Sequence, residues 1–554
     1  MERQYIGARY VPKFADPVAW NKALSYEAMT IVTYLGNSFT SKKPVPAGIE
    51  IDNNEYWVNT GNYNAQIEEY RQSVIRLENN LSAINATNPP SGYVAMSADS
   101  DDNSAALQAL VDSFECVFIP AGNYTLANTI TITNNTKIIG NGTLVRASGN
   151  RYGDILHVTG CTLLISGITI NDNGSTLPIF TSADYDILDK RYVCIKVDNK
   201  AKIDVNWCTF TDVYTRAVDC YNASGISICN NYISTTTRKQ GYVGEFIHIL
   251  TCYCPCVIEG NSMECPDYNN PALGMCGVFV SGYNGGGRIS NNYMRTVGRN
   301  LDSGHRLLPI DFYRNVNNMT VENNDITTAH GFMRINGCTN ISVRHNTVEK
   351  PGDYEDTTRG DPFIWIYSNT DYNSSDIEVS YNNFSIINGR AIVTVAGDVG
   401  NSIVDGNVFT FPETGNPPVG VLNLIENAKN FTFSNNIIKQ LGTSGGNLLN
   451  FSSAAEDIKI VGNTIENIVN FSAGDFVANG FVVANNVIAP LDPNPFGVGT
   501  WDNTLFYGNN FKKCNVNVSG TNTLLFGNVV GASYSFIGTA KAVNNIKANA
   551  LYPA

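Results

Sequence analysis

The sequence is poor in charge, and the charge it carries is mostly acidic. Only 15% of its residues are charged, with 36 Lys and Arg against 49 Asp and Glu, which gives a net charge of −13. A surface that binds phosphates needs an excess of basic residues, so nucleic acid is not expected as a partner. Long apolar runs are also absent and the chain starts with the polar segment MERQ, so we expect neither a membrane span nor a secretion signal.

The cysteines do not have the pattern of a disulfide framework. There are 13 of them, an odd number scattered over 554 residues, which is more consistent with synthesis in a reducing cytosol. Four lie close together in TCYCPCVIEGNSMEC, namely Cys252, Cys254, Cys256 and Cys265. This cluster lacks the paired C-x-x-C spacing of zinc sites, so packing inside the fold is favoured over a metal site. No metal or other cofactor is expected.

What the sequence has in abundance points to an all-β protein. Apolar residues make up 43%, with 48 Gly and 28 Tyr. A motif of the form apolar-x-x-Asn-x-apolar occurs twelve times between Asn231 and Asn528, on average about every 27 residues. Such density indicates a solenoid in which each copy marks one turn of chain.

Two kinds of solenoid compete for this motif, because MTVENNDI also fits the leucine-rich repeat. A leucine-rich repeat continues into a helix, whereas here the next apolar segment is a second strand, as in FIWIYS or AIVTVAG. We therefore predict a right-handed single-stranded parallel β-helix. The motif Asn is expected to take the left-handed conformation of a sharp corner and to bond the equivalent Asn one turn away.

Residues 1–61 form an aromatic module with Gly and Pro turns. The pattern Trp20, YE, IVTYLGNSFTS, a Pro-rich turn and YW resembles the small chitin-binding-like modules at the N-termini of tail proteins of phages that infect Gram-positive bacteria. Its aromatic residues either bind sugar or form the core of a very small domain, and the second interpretation is favoured. The resemblance implies attachment to phage tail or baseplate proteins.

Residues 62–90 are predicted to be helical. Ile67, Tyr70, Val74, Leu77, Leu81 and Ile84 recur at alternating intervals of three and four residues, and Pro89 and Pro90 end the pattern. That spacing is typical of a coiled coil, and we expect a short stalk that aligns three chains. One amphipathic helix packed on a neighbouring domain is the alternative.

Residues 91–535 are assigned to the β-helix and 536–554 to a C-terminal tail. A short helix containing Leu107, Leu110 and Val111, capped by Asp101 or Asp102, precedes IPAGNYTL. This passage resembles the start of the pectate-lyase-like domain of phage tailspikes, where the helix covers the open end of the β-helix.

The resemblance implies a homotrimeric tailspike or tail appendage in the virion that recognises a host surface polysaccharide. We expect that it also depolymerises this polysaccharide. A non-enzymatic receptor-binding appendage of the same fold is the alternative. An exported bacterial enzyme of this fold would need a signal peptide, which the sequence does not show.

The repeat predicts which residues share one surface column. Counting thirteen residues back from the motif Asn places His248, Phe279 and Asp311 on successive turns, and strand alternation adds Arg334 and Trp365. A second column holds Tyr221, Ser281, Tyr313, Asn336 and Tyr367. Aromatic rings beside charged groups are expected in a carbohydrate groove, so Trp365, Tyr313, Tyr367, Phe279 and Tyr221 are candidate substrate-binding residues.

Glycan hydrolysis needs two carboxyl groups within about 10 Å. Asp219 and Asp311 share a column but are three turns apart, about 14 Å, so a partner for Asp311 is sought in the loops, where Asp302 is nearest in sequence. The other loop candidates are Asp353, Glu355, Asp356 and Asp361. The alternative chemistry is β-elimination on a uronic-acid glycan, with His248 or His305 as the base and Arg334 or Arg306 neutralising the carboxylate.

Overall fold

The structure is a computed structural model, and it divides into two units, residues 1–83 and 84–554. It describes residues 18–35, 37–61, 83–149, 153–177, 192–235, 244–265, 275–296, 308–328, 331–350, 362–386, 391–411, 420–440, 447–451, 453–468, 470–473, 477–490, 495–496, 500–511, 515–530, 534–538, 541–543, 545–547 and 550–551. Residues 62–82 of the coiled coil predicted at 62–90 lie outside them. Residues 83–90 are described, and Ile84, the last residue of the predicted pattern, lies in the strand Ile84–Asn85, so the helix prediction was wrong there.

The first unit is a small sheet with an aromatic core. Its four strands are Val18–Ala19, Ile31–Tyr34, Asn37–Ser41 and Trp57–Gly61. Tyr26 and Trp57 are buried and meet edge to face at 5.4 Å. These two aromatic residues therefore belong to the core of this unit, as the favoured interpretation of the sequence predicted.

The second unit is a right-handed parallel β-helix, as the repeat predicted. Each turn contributes one strand to each of three parallel sheets, called A, B and C in chain order, and each strand pairs with its equivalent one turn away. Four strands bend across the corner between sheets A and B and belong to both: Ile310–Glu322, Met333–Arg344, Ala391–Asp405 and Gly420–Ser434.

The other strands of sheet A are Ile130–Ile132, Gly153–Thr159, Tyr192–Asp198, Arg216–Tyr221, Gly244–Leu250, Met275–Ser281, Ile364–Tyr367, Asn447–Phe451, Asn470–Ala473, Pro495–Phe496, Asn515–Gly520 and Tyr534–Gly538. Those of sheet B are Ile84–Asn85, Cys116–Ile119, Thr136–Gly140, Thr162–Ser166, Lys202–Asn206, Gly225–Cys229, Cys256–Glu259, Gly287–Ser290, Ser375–Ser380, Ala455–Val461, Val482–Ala484, Leu505–Tyr507, Leu524–Phe526 and Lys541–Val543. Val477–Asn479 and Thr500–Asp502 lie at the A–B corner.

Sheet C consists of short strands. They are Asn123–Leu126, Thr143–Arg146, Thr169–Asn171, Thr209–Thr211, Tyr232–Ser234, Ser262–Glu264, Tyr293–Thr296, Asp325–Thr328, Thr347–Lys350, Asn383–Ile386, Val408–Phe411, Ile437–Gln440, Thr464–Ile468, Val487–Pro490, Asn510–Phe511, Val529–Val530, Ile546–Lys547 and the antiparallel Ala550–Leu551. Strand pairing thus continues beyond residue 535.

The motif asparagines form one buried ladder at the corner between sheets B and C. Each side-chain amide donates to the Oδ1 of the next Asn at 2.9 to 3.1 Å, so the predicted contact between turns is confirmed. The ladder includes a thirteenth member, Asn545, that the motif search missed. Asn324, for example, is 2% exposed and therefore has a structural role.

The prediction that these asparagines themselves take the left-handed conformation was wrong. The left-handed residue is the one before the ladder Asn in all twelve motifs, for example Asn323 with a φ of 55° before Asn324. The preceding position is Asn or Gly in ten motifs and His345 or Tyr381 in the other two. The ladder Asn itself, for example Asn324, does not have a positive φ, and its amide bonds the Asn of the next turn.

One helix, α1 (Ser104–Ser113), packs on the first turns of the β-helix. Leu107, Leu110 and Val111 are buried, as predicted. Gln108 accepts from the backbone N–H of Thr131 at 2.8 Å and donates to its carbonyl at 2.8 Å, so this side chain bonds the outer edge of sheet A as a further strand would. No helix in the described part of the chain has both the length and the apolar character needed to cross a membrane.

The clustered cysteines lie inside the β-helix. Cys252, Cys254, Cys256 and Cys265 are all buried as free thiols. Burial raises the pKa of Cys252 to about 11 and that of Cys254 to about 12, so both remain protonated at neutral pH. Their burial agrees with the predicted packing role.

Candidate functional site

The outer face of sheet A carries the residues that the repeat placed in one column. Strand register aligns Asp219, His248, Phe279, Asp311, Arg334 and Trp365 on six successive turns. Two further residues, His157 and Lys196, extend this column toward the N-terminal end. We call these eight residues the outer row. The parallel second column is also in register and contains Tyr221, Leu250, Ser281, Tyr313, Asn336 and Tyr367.

A cluster of ion pairs lies around Asp219. Its Oδ2 accepts from Nη1 of Arg216 at 2.7 Å, and its Oδ1 lies 2.7 Å from Nδ1 of His248. Arg216 also donates from Nε to Glu245 at 2.8 Å. Burial opposes ionisation of Asp219, but the charge of Arg216 and the hydrogen bonds from His248 and Arg216 outweigh it and hold the pKa of Asp219 well below its ordinary range.

A cavity of about 500 Å³ opens beside this cluster. Asp154, Lys196, Asp219 and His248 all contribute to its lining, and Tyr221 stands at its edge with half of its surface exposed. Burial raises the pKa of Asp154 to about 6, with a further contribution from the charge of Asp219, although Lys196 and His157 oppose the rise. The cavity therefore combines a carboxyl group that keeps its proton up to about pH 6 with one that is ionised far below that pH.

A buried arginine braces the strand that carries Asp154. Arg146 is 2% exposed and donates from Nε to Asp172 at 2.7 Å. Its two terminal nitrogens donate to the carbonyls of Gly153 at 2.9 Å and Val193 at 3.0 Å. This charge-assisted network fixes the main chain directly before Asp154.

An aromatic shelf follows the cavity along the same face. The ring of Phe279 is stacked on His248, with centroids 5.1 Å apart and 6° between the planes. Tyr313 lies 6.4 Å from Phe279, and Trp365 lies 5.6 Å from Tyr367. We call Phe279, Tyr313, Trp365 and Tyr367 the aromatic shelf. Trp365 is partly buried.

Asp311, the residue that the sequence placed at the catalytic centre, is engaged by Arg334. Its two oxygens accept from Nε and Nη2 of Arg334 at 2.8 and 2.6 Å, and its side chain is 5% exposed. The guanidinium of Arg334 also lies 4.7 Å from the centre of the Tyr313 ring. The geometry therefore suits Asp311 to holding Arg334 in place on the shelf.

The structure brings together His248, Asp311, Arg334, Trp365, Tyr313, Tyr367, Phe279 and Tyr221 on one face. The other predicted site residues, Asp302, His305 and Arg306, lie outside the described residues, as do the loop carboxyls Asp353, Glu355, Asp356 and Asp361. Asp219 and Asp311 are three strands apart, as the sequence indicated.

Sequence reasoning missed Asp154 and Arg216 as site residues. The Asn ladder begins at Asn231, so the repeat offered no register for these earlier turns. Asp154 also sits at the start of its strand, next to Gly153 with a φ of 130°, where simple alternation does not tell which way a side chain points. Among the described residues, no group of three or more His, Cys, Asp or Glu is arranged to hold a metal ion.

Comparisons with known proteins give similarity in structure only. No protein-family model matches the chain, and no curated protein does. The solved structures that resemble it include PfbA, a surface adhesin of Streptococcus pneumoniae, at 15% identity and a TM-score of 0.33, covering 84% of this chain and 94% of that one. Another is DFA-IIIase from Arthrobacter chlorophenolicus A6 in complex with GF2, at 13% identity and a TM-score of 0.38, covering 71% and 95%. The fold class is established by the strand pairing of the chain itself: it is a parallel β-helix.

Proposed function

We propose that this chain binds a carbohydrate along the outer row and hydrolyses it at the cavity between Asp154 and Asp219. One observation carries the proposal: the cavity, lined by Asp154, Asp198, Asp219 and His248, continues in register into the aromatic shelf. Aromatic faces that bind sugar rings beside a pair of carboxyls with separated pKa values form the arrangement that glycoside hydrolysis needs.

The roles follow from the protonation states. Asp154 keeps its proton up to about pH 6 and is the general acid that protonates the oxygen of the departing sugar. His248, whose Nδ1 is bonded to Asp219, takes a proton from the water that attacks the anomeric carbon, and the negative charge of Asp219 stabilises the cation that forms. The glycosidic bond breaks as the bond to the water oxygen forms.

Asp154 and Asp219 are not in one column, because Asp154 pairs with Val193 and Val193 with Arg216, three residues before Asp219. Two strand steps and three residues along the strand place their main-chain positions about 14 Å apart, and both side chains line the same cavity. In the proposed mechanism water attacks directly and no covalent intermediate forms. We therefore propose inversion at the anomeric carbon.

We further propose that the chain acts as a homotrimeric phage tail appendage on a host surface polysaccharide. The support is the resemblance of residues 1–61 to tail-attachment modules and of the IPAGNYTL passage to the start of tailspike β-helices. The location would be the virion tail, with the first unit as the attachment to tail proteins.

A non-enzymatic receptor-binding appendage is the second candidate. It is favoured by the engagement of Asp311 with Arg334, which leaves the shelf as a binding surface without a free acid pair. In that case the same face would hold the glycan without cleaving it.

The test is to incubate the purified chain with capsule and wall glycans from candidate hosts. New reducing ends without ultraviolet absorbance from unsaturated sugars are expected, because hydrolysis adds water and leaves no double bond. Asp154→Asn should lower kcat by at least about 100-fold, as loss of a general acid does. The matched control is Glu378→Gln on the outer face of sheet B, which should keep full activity. Binding without cleavage would support the receptor-binding candidate, and unsaturated products would overturn hydrolysis.

A further inference from the structure

Arg314 occupies a corner position that favours glycine. It follows Tyr313 at the turn from sheet A to sheet B and has a φ of 60°, in the left-handed region. The residues that follow Ser281 and Asn336, the neighbours of Tyr313 in its column, are Gly282 and Gly337 with φ values of 61° and 63°. Arg314 therefore stands between two glycines in the same conformation.

A long side chain in this conformation has a cost that needs an explanation. Left-handed backbone is unfavourable for residues with a Cβ, and such residues cluster at ligand-binding sites. The fold requires the left-handed conformation at this corner, and Thr251, two turns before Arg314, is also a non-glycine residue there with a φ of 54°. Arg314 differs from it in the two aromatic rings that contact its side chain.

The guanidinium of Arg314 lies between two tyrosine rings. It is 4.5 Å from the centre of Tyr313 and 4.9 Å from the centre of Tyr372. Tyr372 takes this place because Gly337 has no side chain, since a Cβ there would lie 2.4 Å from the Cβ of Tyr372. Arg334 contacts the same Tyr313 ring, so Tyr372, Arg314, Tyr313 and Arg334 form a continuous cation–π array.

The two arginines of this array differ in their partners. Arg334 has both oxygens of Asp311, whereas Arg314 is exposed and has no carboxylate partner within the described part of the chain. Stacking holds a guanidinium flat and leaves its N–H groups at the edge, where they can donate in pairs to the oxygens of a carboxylate or phosphate.

We propose that Arg314, held by Tyr313 and Tyr372, is a subsite for a sugar that carries an oxyanion, so that the glycan bound at the outer row is acidic. The inference rests on the proposed function, because it places the subsite on the same bound glycan. Tyr313 lies three strands from Asp219, so the anionic group would bind about 14 Å from Asp219. Arg314 thus selects the glycan and does not take part in the bond cleavage.

Binding to an array of glycans tests this. The array carries uronate-bearing and phosphodiester-bearing oligosaccharides together with their uncharged parents. The wild-type chain is expected to bind one acidic class at least tenfold more tightly than its parent, with an affinity that falls as salt is added. The class that binds identifies a uronate or a phosphate as the ligand group.

Three variants separate recognition from folding. Arg314→Gln should lower the affinity for the acidic glycan by about tenfold or more and leave the affinity for the uncharged parent unchanged. Arg314→Lys keeps the charge but not the flat paired donors, so its affinity for the acidic glycan should lie between those of the wild type and Arg314→Gln. Arg314→Gly removes the left-handed cost, so its unfolding midpoint should equal or exceed that of the wild type while its binding resembles that of Arg314→Gln.

Preference for uncharged glycans, or equal binding of the acidic glycan by wild type and Arg314→Gln, would overturn the subsite and leave the proposed function standing. Failure to bind any glycan would overturn both.

Discussion

Replacing Asp154 by asparagine is expected to stabilise the folded chain while it removes activity. The side chain is 15% exposed, and burial raises its pKa from an ordinary 3.8 to about 6. The folded state therefore binds this proton more tightly than the unfolded state, and ionising Asp154 above pH 6 costs folding free energy. Asparagine has nearly the same shape and no charge to desolvate.

The size of the effect follows from the pKa difference. At about 1.36 kcal/mol for each pKa unit, a rise from 3.8 to about 6 amounts to about 3 kcal/mol. The penalty is absent below pH 3.8, where Asp154 is protonated in both states. It grows between pH 3.8 and 6 and is constant above that. The stability advantage of Asp154→Asn should follow the same pH profile.

The assay is denaturant unfolding of both proteins at several pH values between 4 and 8. Asp154→Asn should unfold at higher denaturant concentration than the wild type at pH 7.5, and the two should converge toward pH 4. A variant that is less stable than the wild type at pH 7.5, or whose advantage does not change with pH, would show that Asp154 is not desolvated and would remove the basis for its role as the acid.

Three further predictions concern the ladder and the shelf. Asn324→Ala should lower the free energy of unfolding by about 3 kcal/mol, because it deletes four buried hydrogen bonds at 2.9 to 3.0 Å. Asn323→Gly should leave it unchanged, because Asn323 is already left-handed. Unfolding in denaturant measures both variants, and equal effects would contradict the role of the ladder. Trp365→Ala should weaken glycan binding by about tenfold, while Trp207→Ala, at an exposed tryptophan on another corner, should not; calorimetry distinguishes them. Asp311→Asn should raise KM more than it lowers kcat, because it releases Arg334 from its place on the shelf and leaves the cavity unchanged. Steady-state kinetics measures both constants, and complete loss of kcat would show that Asp311 is a catalytic residue.

The fold could be predicted because its determinant is repeated along the sequence. An isolated VENNDI is ambiguous, but twelve copies at about 27 residues each leave few architectures open. The register of the outer row from Asp219 to Trp365 followed, since a slip of one residue would turn every side chain to the other face.

The error about the ladder has a local cause. Both positions of an Asn-Asn pair suit a left-handed corner by residue type, and the sequence does not say which of them turns. The motifs with Gly, such as IEGNSM around Gly260, contain the answer, because glycine at the first position is the typical left-handed residue.

The repeat could not predict Asp154 and Arg314 as site residues. The raised pKa of Asp154 comes from its burial and from the charge of Asp219, and both depend on packing between neighbouring turns. These turns precede the first motif Asn, so the repeat did not align them. Arg314 was overlooked because its importance lies in its φ and in the two rings around it, neither of which a sequence shows. The loops that the sequence singled out lie outside the described residues, so their carboxyls remain predictions.

The proposed binding face ends where the outer row loses its charged and aromatic residues. After Trp365 the same column continues as Thr394, Asn423 and Asn450, which carry neither charge nor an aromatic ring. The Asn ladder continues unchanged through these turns, so the scaffold does not force the change. A column under structural demand alone would have no reason to concentrate its charged and aromatic side chains between His157 and Trp365. That segment crosses eight strands, or about 34 Å at 4.8 Å per step, which is long enough for an extended oligosaccharide with Asp219 near one end and the Arg314 corner farther along.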